Sequence, residues 1–117
     1  RYMNIKPGRC GGITNALRIH DLAKAAGIPC WIGGMLESAV GVRICIALAM
    51  LDNCTYPADI FPSSRFYRDD LGKPEVNVVR GPDGGPQVAV DDVPGIGCEP
   101  DAQLLENFTL EHVRIEG

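Results

Sequence analysis

Two hydrophobic periods organise the first half of the chain. Short stretches that alternate apolar and polar residues, or that are apolar throughout, have the length of β-strands. Longer stretches between them carry apolar residues every three or four positions, as a helix does, and glycines and prolines separate the two kinds. The predicted elements, in chain order, are a strand at 2–6, a helix at 15–26, a strand at 28–34, a helix at 36–51 and a strand at 56–61.

This alternation of strands and helices with short loops predicts a parallel α/β sheet. In such folds, chemistry is found where a strand ends and the loop to the next helix begins. Lys6, the turn at 33–38 and Asp59 each stand at the end of a predicted strand. We therefore expect them to face one site. Thr14 is the predicted cap of the first helix, and Gly27 its C-terminal stop.

From residue 73 the pattern changes. Two alternating runs flank a proline- and glycine-rich turn at 82–85, which predicts an antiparallel hairpin. A glycine-rich loop, a short helix at 101–107 and an alternating strand at 108–115 follow. The expected division is therefore 1–72 for the parallel part and 73–117 for the hairpin, the loop and the tail.

Composition and charge exclude several classes of protein. The 117 residues carry a net charge of -4 without any cluster of lysine and arginine, which argues against a nucleic-acid or anionic-membrane surface. The longest apolar run, 44–51, is far too short to span a bilayer. Because the sequence opens at Arg1 without a methionine and inside a predicted strand, we expect a piece of a longer protein.

The five cysteines predict reduced thiols. They are an odd number, spaced well apart, and no C-x-x-C or Cys/His pairing suggests zinc. We expect buried or half-buried thiols in a cytoplasmic protein and disfavour a redox or metal protein that uses them. His20 and His112 stand outside any Cys/His or Ser/His arrangement, which favours surface or packing roles for both.

Lys6 raises the central question of the sequence. It ends the first predicted strand, and Pro7 and Gly8 directly after it cannot continue that strand. A lysine at this place is either a solvated strand end or a chemically placed amine. Spacing alone favours the solvated strand end, since lysine is rarely buried.

Three stretches decide how the chain is interpreted. "NIKPGRCGGITNALRIHDLAKAAGIPCWIGGMLESAVG", "PADIFPSSRFYRDDL" and "VPGIGCEPD" resemble, in this order, the C-terminal part of enolase-superfamily enzymes. Within that superfamily the chain resembles the muconate-lactonizing subgroup, and there o-succinylbenzoate synthases and N-acylamino acid racemases. The resemblance implies an α/β fold: strands six to eight of a modified TIM (β/α) barrel in 1–72, and a hairpin and tail in 73–117 that return to an N-terminal capping domain.

The resemblance also implies a reaction. Superfamily members remove a proton α to a carboxylate with the help of Mg²⁺ or Mn²⁺. Their metal ligands, on strands three to five, and a second lysine, on strand two, lie outside this sequence, so no metal ligand is expected here and the chain alone should be inactive. The expected partners are a small carboxylate substrate, the missing N-terminal part of the same enzyme and further copies in a homo-oligomer.

Candidate site residues follow from the same resemblance. Lys6 matches the catalytic lysine of strand six, which transfers a proton in racemases and places a cation against the anionic intermediate in synthases. Asp59 would contact substrate or order its neighbours, with simple loop capping as the alternative. For Glu37, in the predicted first turn of the second helix, capping is favoured over catalysis. The residues that would form a wall of the substrate pocket are Gly33, Gly34, Met35 and Leu36.

The eighth strand, Asp59-Ile60-Phe61, lacks the Asp-x-Asp of dipeptide epimerases, which argues against dipeptide substrates. The alternative to an enzyme is a non-catalytic scaffold or binding protein that retains the same barrel.

Overall fold

Helices cover one face of a small parallel sheet. The computed structural model describes residues 1–89 and 92–115. The strands are β1 (Met3–Ile5), β2 (Cys30–Ile32), β3 (Gly72–Lys73), β4 (Val78–Arg80), β5 (Pro86–Val88) and β6 (Glu99–Pro100). The helices are α1 (Pro7–Cys10), α2 (Ile13–Ala25), α3 (Ala39–Ala49), α4 (Ala102–Phe108) and a 3₁₀ turn at Ser63–Arg65.

The parallel pairing predicted for the first two strands is confirmed. β1 and β2 pair in parallel, with Met3 opposite Cys30 and Ile5 opposite Ile32. The third predicted strand, 56–61, is wrong as a regular strand: among the described residues it forms one isolated parallel bridge, from Asp59 to Gly33 just after β2. A second isolated bridge joins Cys54, before the predicted strand, to Cys30. The order β1, β2, 54–59 is nevertheless that of three successive parallel segments.

The third segment is irregular because it has two more residues between the bridges than the segment opposite. Three residue steps along β2, from Cys30 to Gly33, correspond to five steps from Cys54 to Asp59. A continuous ladder needs equal steps on both sides, and Pro57 within the segment has no N–H to donate. The backbone therefore leaves the sheet between the bridges and returns at Asp59.

The core lies between the sheet and helices α2 and α3. Ile5, Cys30 and Ile32 are buried on one face of the sheet, and the helices bury four residues against them: Ala16, Ala23, Cys45 and Leu48. Because strand side chains alternate between faces, Asn4 and Trp31 belong to the opposite face. That face has no helix packed on it among the described elements.

The boundaries of α2 and α3 differ from the predicted ones by one to three residues. α2 begins at Ile13 with Gly12 as its N-cap, so Thr14 lies inside the first turn and is not the cap. Gly27, at φ 65°, follows the helix in the left-handed conformation expected of a C-terminal stop. α3 begins at Ala39 with Ser38 as its N-cap, three residues later than predicted.

In the second half of the chain, the predicted hairpin is confirmed and the prediction of a last strand at 108–115 is wrong. β4 and β5 pair antiparallel around the 82–85 turn, and α4 begins after Asp101, whose side chain accepts from Leu104 N at 3.0 Å. The β3–β6 pair was not predicted, since two-residue strands carry no period. Within 108–115, Phe108 ends α4 and residues 109–115 are irregular, because no described strand lies beside their alternating apolar side chains.

The chain is less compact than its length allows. Its radius of gyration is 15.7 Å, whereas a compact domain of this length has a value of about 13 Å. β1 has β2 as its only strand partner among the described residues. None of the helices that the structure describes is long and apolar enough to cross a bilayer.

Candidate active site at the carboxyl edge of the sheet

Lys6 is anchored across the sheet rather than extended into solvent. Its backbone is still extended (φ -113°, ψ 103°), and Pro7, at the first position of α1, ends the strand. The half-buried side chain extends from the end of β1 over Gly33, and Nζ donates a 2.7 Å hydrogen bond to Gly34 O, two residues after β2. The ammonium is therefore held at the edge where β1 and β2 end.

Gly33 is a glycine because the Lys6 side chain passes over it. A Cβ at position 33 would lie 2.9 Å from Lys6 Nζ and 2.6 Å from Asn4 Oδ1. Both are ends of flexible side chains, so an added methyl group would displace them without disturbing the backbone. The resemblance implies that Gly33 is part of a pocket wall, which stays a prediction; in the structure this glycine leaves room for the Lys6 side chain.

Gly34 is a glycine for a different reason. A Cβ there would lie 2.8 Å from the backbone oxygen of Asp59, which already accepts from Gly34 N at 2.7 Å. The close approach of the two chains at this bridge leaves no space for a side chain. Gly34 thus joins the second and third parallel segments and also provides the acceptor for Lys6.

We expect alanine at these two neighbouring positions to give opposite results. Gly33→Ala should lower turnover of the complete enzyme by about 100-fold through misplacement of the Lys6 ammonium. Its free energy of unfolding should change by less than about 1 kcal/mol, because only side-chain ends move. Gly34→Ala should instead destabilise the protein by about 1–3 kcal/mol, because a backbone atom must move. Turnover and urea unfolding measured on both variants check these expectations.

Each of the two variants serves as the other's control. The interpretation of Gly33 is wrong if Gly33→Ala keeps the kcat of the parent enzyme. It is also wrong if the variant loses stability as Gly34→Ala does, since backbone crowding would then be present at both positions.

Two side chains form hydrogen bonds with the backbone of the loop that follows Gly34. The Glu37 carboxylate accepts from Met35 N, and Tyr67 OH donates to Leu36 O at 2.5 Å. The prediction that Glu37 lies in the first turn of a helix is wrong, because α3 begins two residues later. Its carboxylate binds the loop backbone instead of capping the helix. Met35 and Leu36 are 41% and 63% exposed, so they line the rim of the edge and not an enclosed cavity.

The N-terminus of α3 is held by an aspartate that sequence reasoning missed. The buried Asp70 carboxylate accepts from Ala39 N at 2.8 and 3.1 Å, from Gly72 N at 3.1 Å and from Ser63 Oγ. It therefore supplies the cap that the Ser38 side chain does not provide. Nothing in the local pattern distinguishes it from the exposed Asp69 beside it, so only the fold could identify it.

Asp59 reaches the site through its backbone. Its N–H donates to Ile32 O at 2.9 Å and its carbonyl accepts from Gly34 N, so it lies opposite Gly33 at the carboxyl edge. Its side chain is half-buried, without a hydrogen bond or ion pair to the described residues. The predicted meeting of Lys6, the 33–38 turn and Asp59 at one edge is present in the structure at Gly33 and Gly34 of that turn, and the chemical roles of these residues remain predictions.

A comparison of the sequence with protein-family models identifies the family of this chain. The sequence profile of the family described as enolase C-terminal domain-like matches residues 1–104. The chain belongs to this family. The predicted resemblance to the enolase superfamily is therefore confirmed.

Individual relatives and structures agree with that family. An N-succinylamino acid racemase from Amycolatopsis is 42% identical over 98% of this chain, and an o-succinylbenzoate synthase from Geobacillus stearothermophilus is 44% identical over 93%. The crystal structure of an enolase-superfamily protein from Listeria innocua covers 92% of this chain and 28% of its own, with 34% identity and a TM-score of 0.74. The chain spans about 30% of the length of the curated relatives that it matches.

The described residues contain no ligand set for the metal of the enolase superfamily. Among the described residues, no group of three or more His, Cys, Asp or Glu side chains could hold a metal ion. Enolase-superfamily enzymes use Mg²⁺.

The cysteines form no disulfide, as predicted, and are all buried or half-buried. Burial raises the pKa values of Cys30, Cys54 and Cys98, and it raises the pKa of Cys45 to about 11, with a smaller contribution from the Glu37 carboxylate and an opposing one from Lys6. These thiols are therefore neutral at physiological pH, which disfavours a role as nucleophiles.

The carboxyl edge at Lys6 borders a small cavity in the described part of the chain. The cavities of about 630 and 520 Å³ lie elsewhere, beside Tyr67 and Phe108 and between α3 and the hairpin. Lys6 lines a smaller one of about 240 Å³ together with Asn4 and Arg9. On the sheet face without helices, the Tyr2 and Tyr56 rings are 4.9 Å apart, and both side chains are more than half exposed. Lys6 therefore stands at the edge of an open apolar face.

Proposed function

We propose that the chain is the C-terminal part of a divalent-metal-dependent enzyme that removes a proton α to a carboxylate. The observation that carries this proposal is the Lys6 ammonium bound to Gly34 O at the carboxyl edge of a parallel sheet, where enolase-superfamily chemistry is expected. The relatives reported above are named as o-succinylbenzoate synthase and N-succinylamino acid racemase. Loss of water or racemisation of an N-acylamino acid are thus the two candidate reactions.

The proposed role of Lys6 follows from the electrostatics of carbon acids. Removing an α-proton leaves negative charge on the substrate carboxylate, and that charge must be met by fixed positive groups. In a racemisation, Lys6 would exchange a proton with one face of the α-carbon. In a dehydration, the charged ammonium would stabilise the anionic intermediate without moving a proton. The Gly34 carbonyl keeps the amine at one place in both cases.

The other site residues would shape the pocket for a small carboxylate. In this proposal Gly33, Gly34, Met35 and Leu36 form one wall, and Asp59 contacts substrate or orders its neighbours. The support is positional, since their segments end at the edge where Lys6 is bound.

The remainder of the enzyme would complete the site. We propose that residues 1–72 contribute strands six to eight of the barrel and residues 73–117 return to a capping domain. The metal ligands and a second lysine would lie in the missing N-terminal part, and the chain alone would be inactive. The open sheet face and the unpaired edge of β1 are where that part, or a second copy, would pack. A homo-oligomer in the cytoplasm is part of the same proposal.

The test uses the complete enzyme with Mg²⁺ in D₂O. N-succinylamino acids and the hydroxy-acid precursor of o-succinylbenzoate are offered separately, and deuterium at the α-carbon and loss of water are followed by NMR. We expect α-deuteration of both enantiomers if the enzyme racemises, and o-succinylbenzoate if it dehydrates. If the folded, metal-loaded protein produces neither, the enzymatic proposal fails and the scaffold alternative is favoured.

A further inference from the structure

Two side chains of opposite charge hold one peptide unit of the site. The carbonyl of the unit between Gly34 and Met35 accepts from Lys6 Nζ at 2.7 Å. The N–H of the same unit donates to the Glu37 carboxylate. Because the carbonyl and the N–H belong to one rigid plane, fixing one end also fixes the other.

We propose that Glu37 is a positioning residue for Lys6 and acts through this peptide. The inference rests on the proposed function, because it matters for turnover only if Lys6 acts on substrate. Glu37 itself contacts neither Lys6 nor the reacting atoms in this proposal; it determines where the acceptor of the Lys6 ammonium lies.

Two physical effects give Glu37 this influence. An N–H that donates to a carboxylate is in a charge-assisted hydrogen bond, which polarises the peptide and makes its carbonyl a stronger acceptor. The same bond opposes rotation of the peptide plane, a motion that would turn Gly34 O away from Lys6. Without Glu37, Met35 N–H has no side-chain acceptor at this place and both effects are lost.

The surrounding structure holds Glu37 in the required position. A Cβ at position 41 would lie 2.8 Å from both Cβ and Cγ of Glu37, so the glycine on the first turn of α3 makes room for the glutamate stem. Beyond the peptide unit, Tyr67 OH holds Leu36 O at 2.5 Å. Gly41 thus offers a second way to disturb Glu37 that leaves its carboxylate in the molecule.

The experiment compares three variants of the complete, Mg²⁺-loaded enzyme. Glu37→Ala removes the acceptor, Glu37→Gln keeps an uncharged acceptor, and Gly41→Ala crowds the stem. The first readout is the ¹³Cε NMR signal of Lys6 in protein labelled with ¹³C-lysine and assigned through Lys6→Arg. The second is kcat and KM with the substrate identified for the parent. Glu106→Ala is the matched control, since Glu106 is exposed on α4 and has no hydrogen bond from its side chain to the described residues.

We expect Glu37→Ala to move and broaden the Lys6 signal and to lower kcat by about 100-fold with a smaller change in KM. Gly41→Ala should reproduce both effects. Glu37→Gln should recover most of kcat and return the Lys6 signal towards its parent position. A merely structural role of Glu37 would instead lower the stability and leave the Lys6 signal of the folded fraction unchanged.

The outcomes separate this inference from the proposed function. The positioning role is overturned if Glu37→Ala has the same position and width of the Lys6 ¹³Cε signal as the Glu106→Ala control, and a kcat within twofold of it. If the Lys6 signal moves in Glu37→Ala while Lys6→Ala keeps full turnover, the positioning role is supported and the proposed function of Lys6 fails.

Discussion

Replacing Lys6 by alanine in the complete enzyme should lower kcat/KM by about 10³-fold or more while the protein stays folded. The amine is the proposed proton carrier or electrostatic partner of the intermediate, and such groups contribute about 10²–10⁴-fold each. Among the described residues, the Lys6 side chain donates a hydrogen bond only to Gly34 O, at the half-exposed edge of the sheet, so its removal leaves no buried charge unpaired. Steady-state kinetics and thermal unfolding of the same preparation measure the two parts of this expectation.

Lys6→Arg distinguishes the two chemical roles of the amine. Arginine keeps the positive charge but does not give up its proton in proteins. A dehydrating enzyme that needs only the charge should therefore retain part of its turnover, whereas a racemase that must return a proton through residue 6 should lose it. Measuring exchange of the substrate α-proton in D₂O tests directly whether residue 6 transfers a proton.

Lys24→Ala is the matched control for the loss of a lysine. Lys24 is exposed on α2 and pairs with Asp52 at 2.5 Å, away from the carboxyl edge of the sheet. Its replacement should leave turnover within about twofold, because an exposed ion pair contributes at most about 1 kcal/mol to stability and none to the site. If Lys6→Ala were as active as Lys24→Ala, Lys6 would have no catalytic role.

The second large effect is expected at Asp70. Asp70→Ala should lower the free energy of unfolding by about 3 kcal/mol or more, because it leaves the buried N–H groups of Ala39 and Gly72 and the hydroxyl of Ser63 without their acceptor. The N-terminus of α3 also loses its cap and the adjacent negative charge. Urea unfolding of the variant and the parent gives the difference.

The neighbouring aspartate supplies the control for this expectation. Asp69 is exposed, and Asp69→Ala should stay within about 0.5 kcal/mol of the parent. The free energy of unfolding of Asp70→Asn should lie between those of Asp69→Ala and Asp70→Ala. Its amide oxygen can accept from Ala39 N–H, but its NH₂ group faces another donor. A loss below 1 kcal/mol in Asp70→Ala would show that water or another side chain replaces the carboxylate.

Much of the candidate site could be predicted before the fold was known. The end of each predicted parallel strand indicated Lys6, the 33–38 turn and Asp59, and the structure brings their segments to one edge. Periodicity sufficed because these residues directly follow short strands, and parallel strands end on the same side of a sheet. The hairpin was predictable for a similar reason, since its turn residues permit few other conformations.

Other features depended on partners distant in sequence. Asp70 acts on Ala39, 31 residues away, and Tyr67 acts on Leu36 at the same separation. The alternating run at 108–115 resembled a strand, but a strand exists only where another lies beside it, and Leu110 and Ile115 are instead almost fully exposed. Residue type and local spacing contain no information on such partners.

The sequence by itself determined the alternation of strands and helices up to residue 49, the resemblance to the family, and the amine at the end of the first strand. It could do so because hydrophobic period, turn residues and the spacing of motifs are properties of neighbouring positions. Only the tertiary structure decided that Lys6, at the end of β1, reaches Gly34 O beyond the end of β2, and that Glu37 holds the other end of the same peptide. A hydrogen bond across strands depends on register and on the path of the backbone, which the packing of the whole chain establishes.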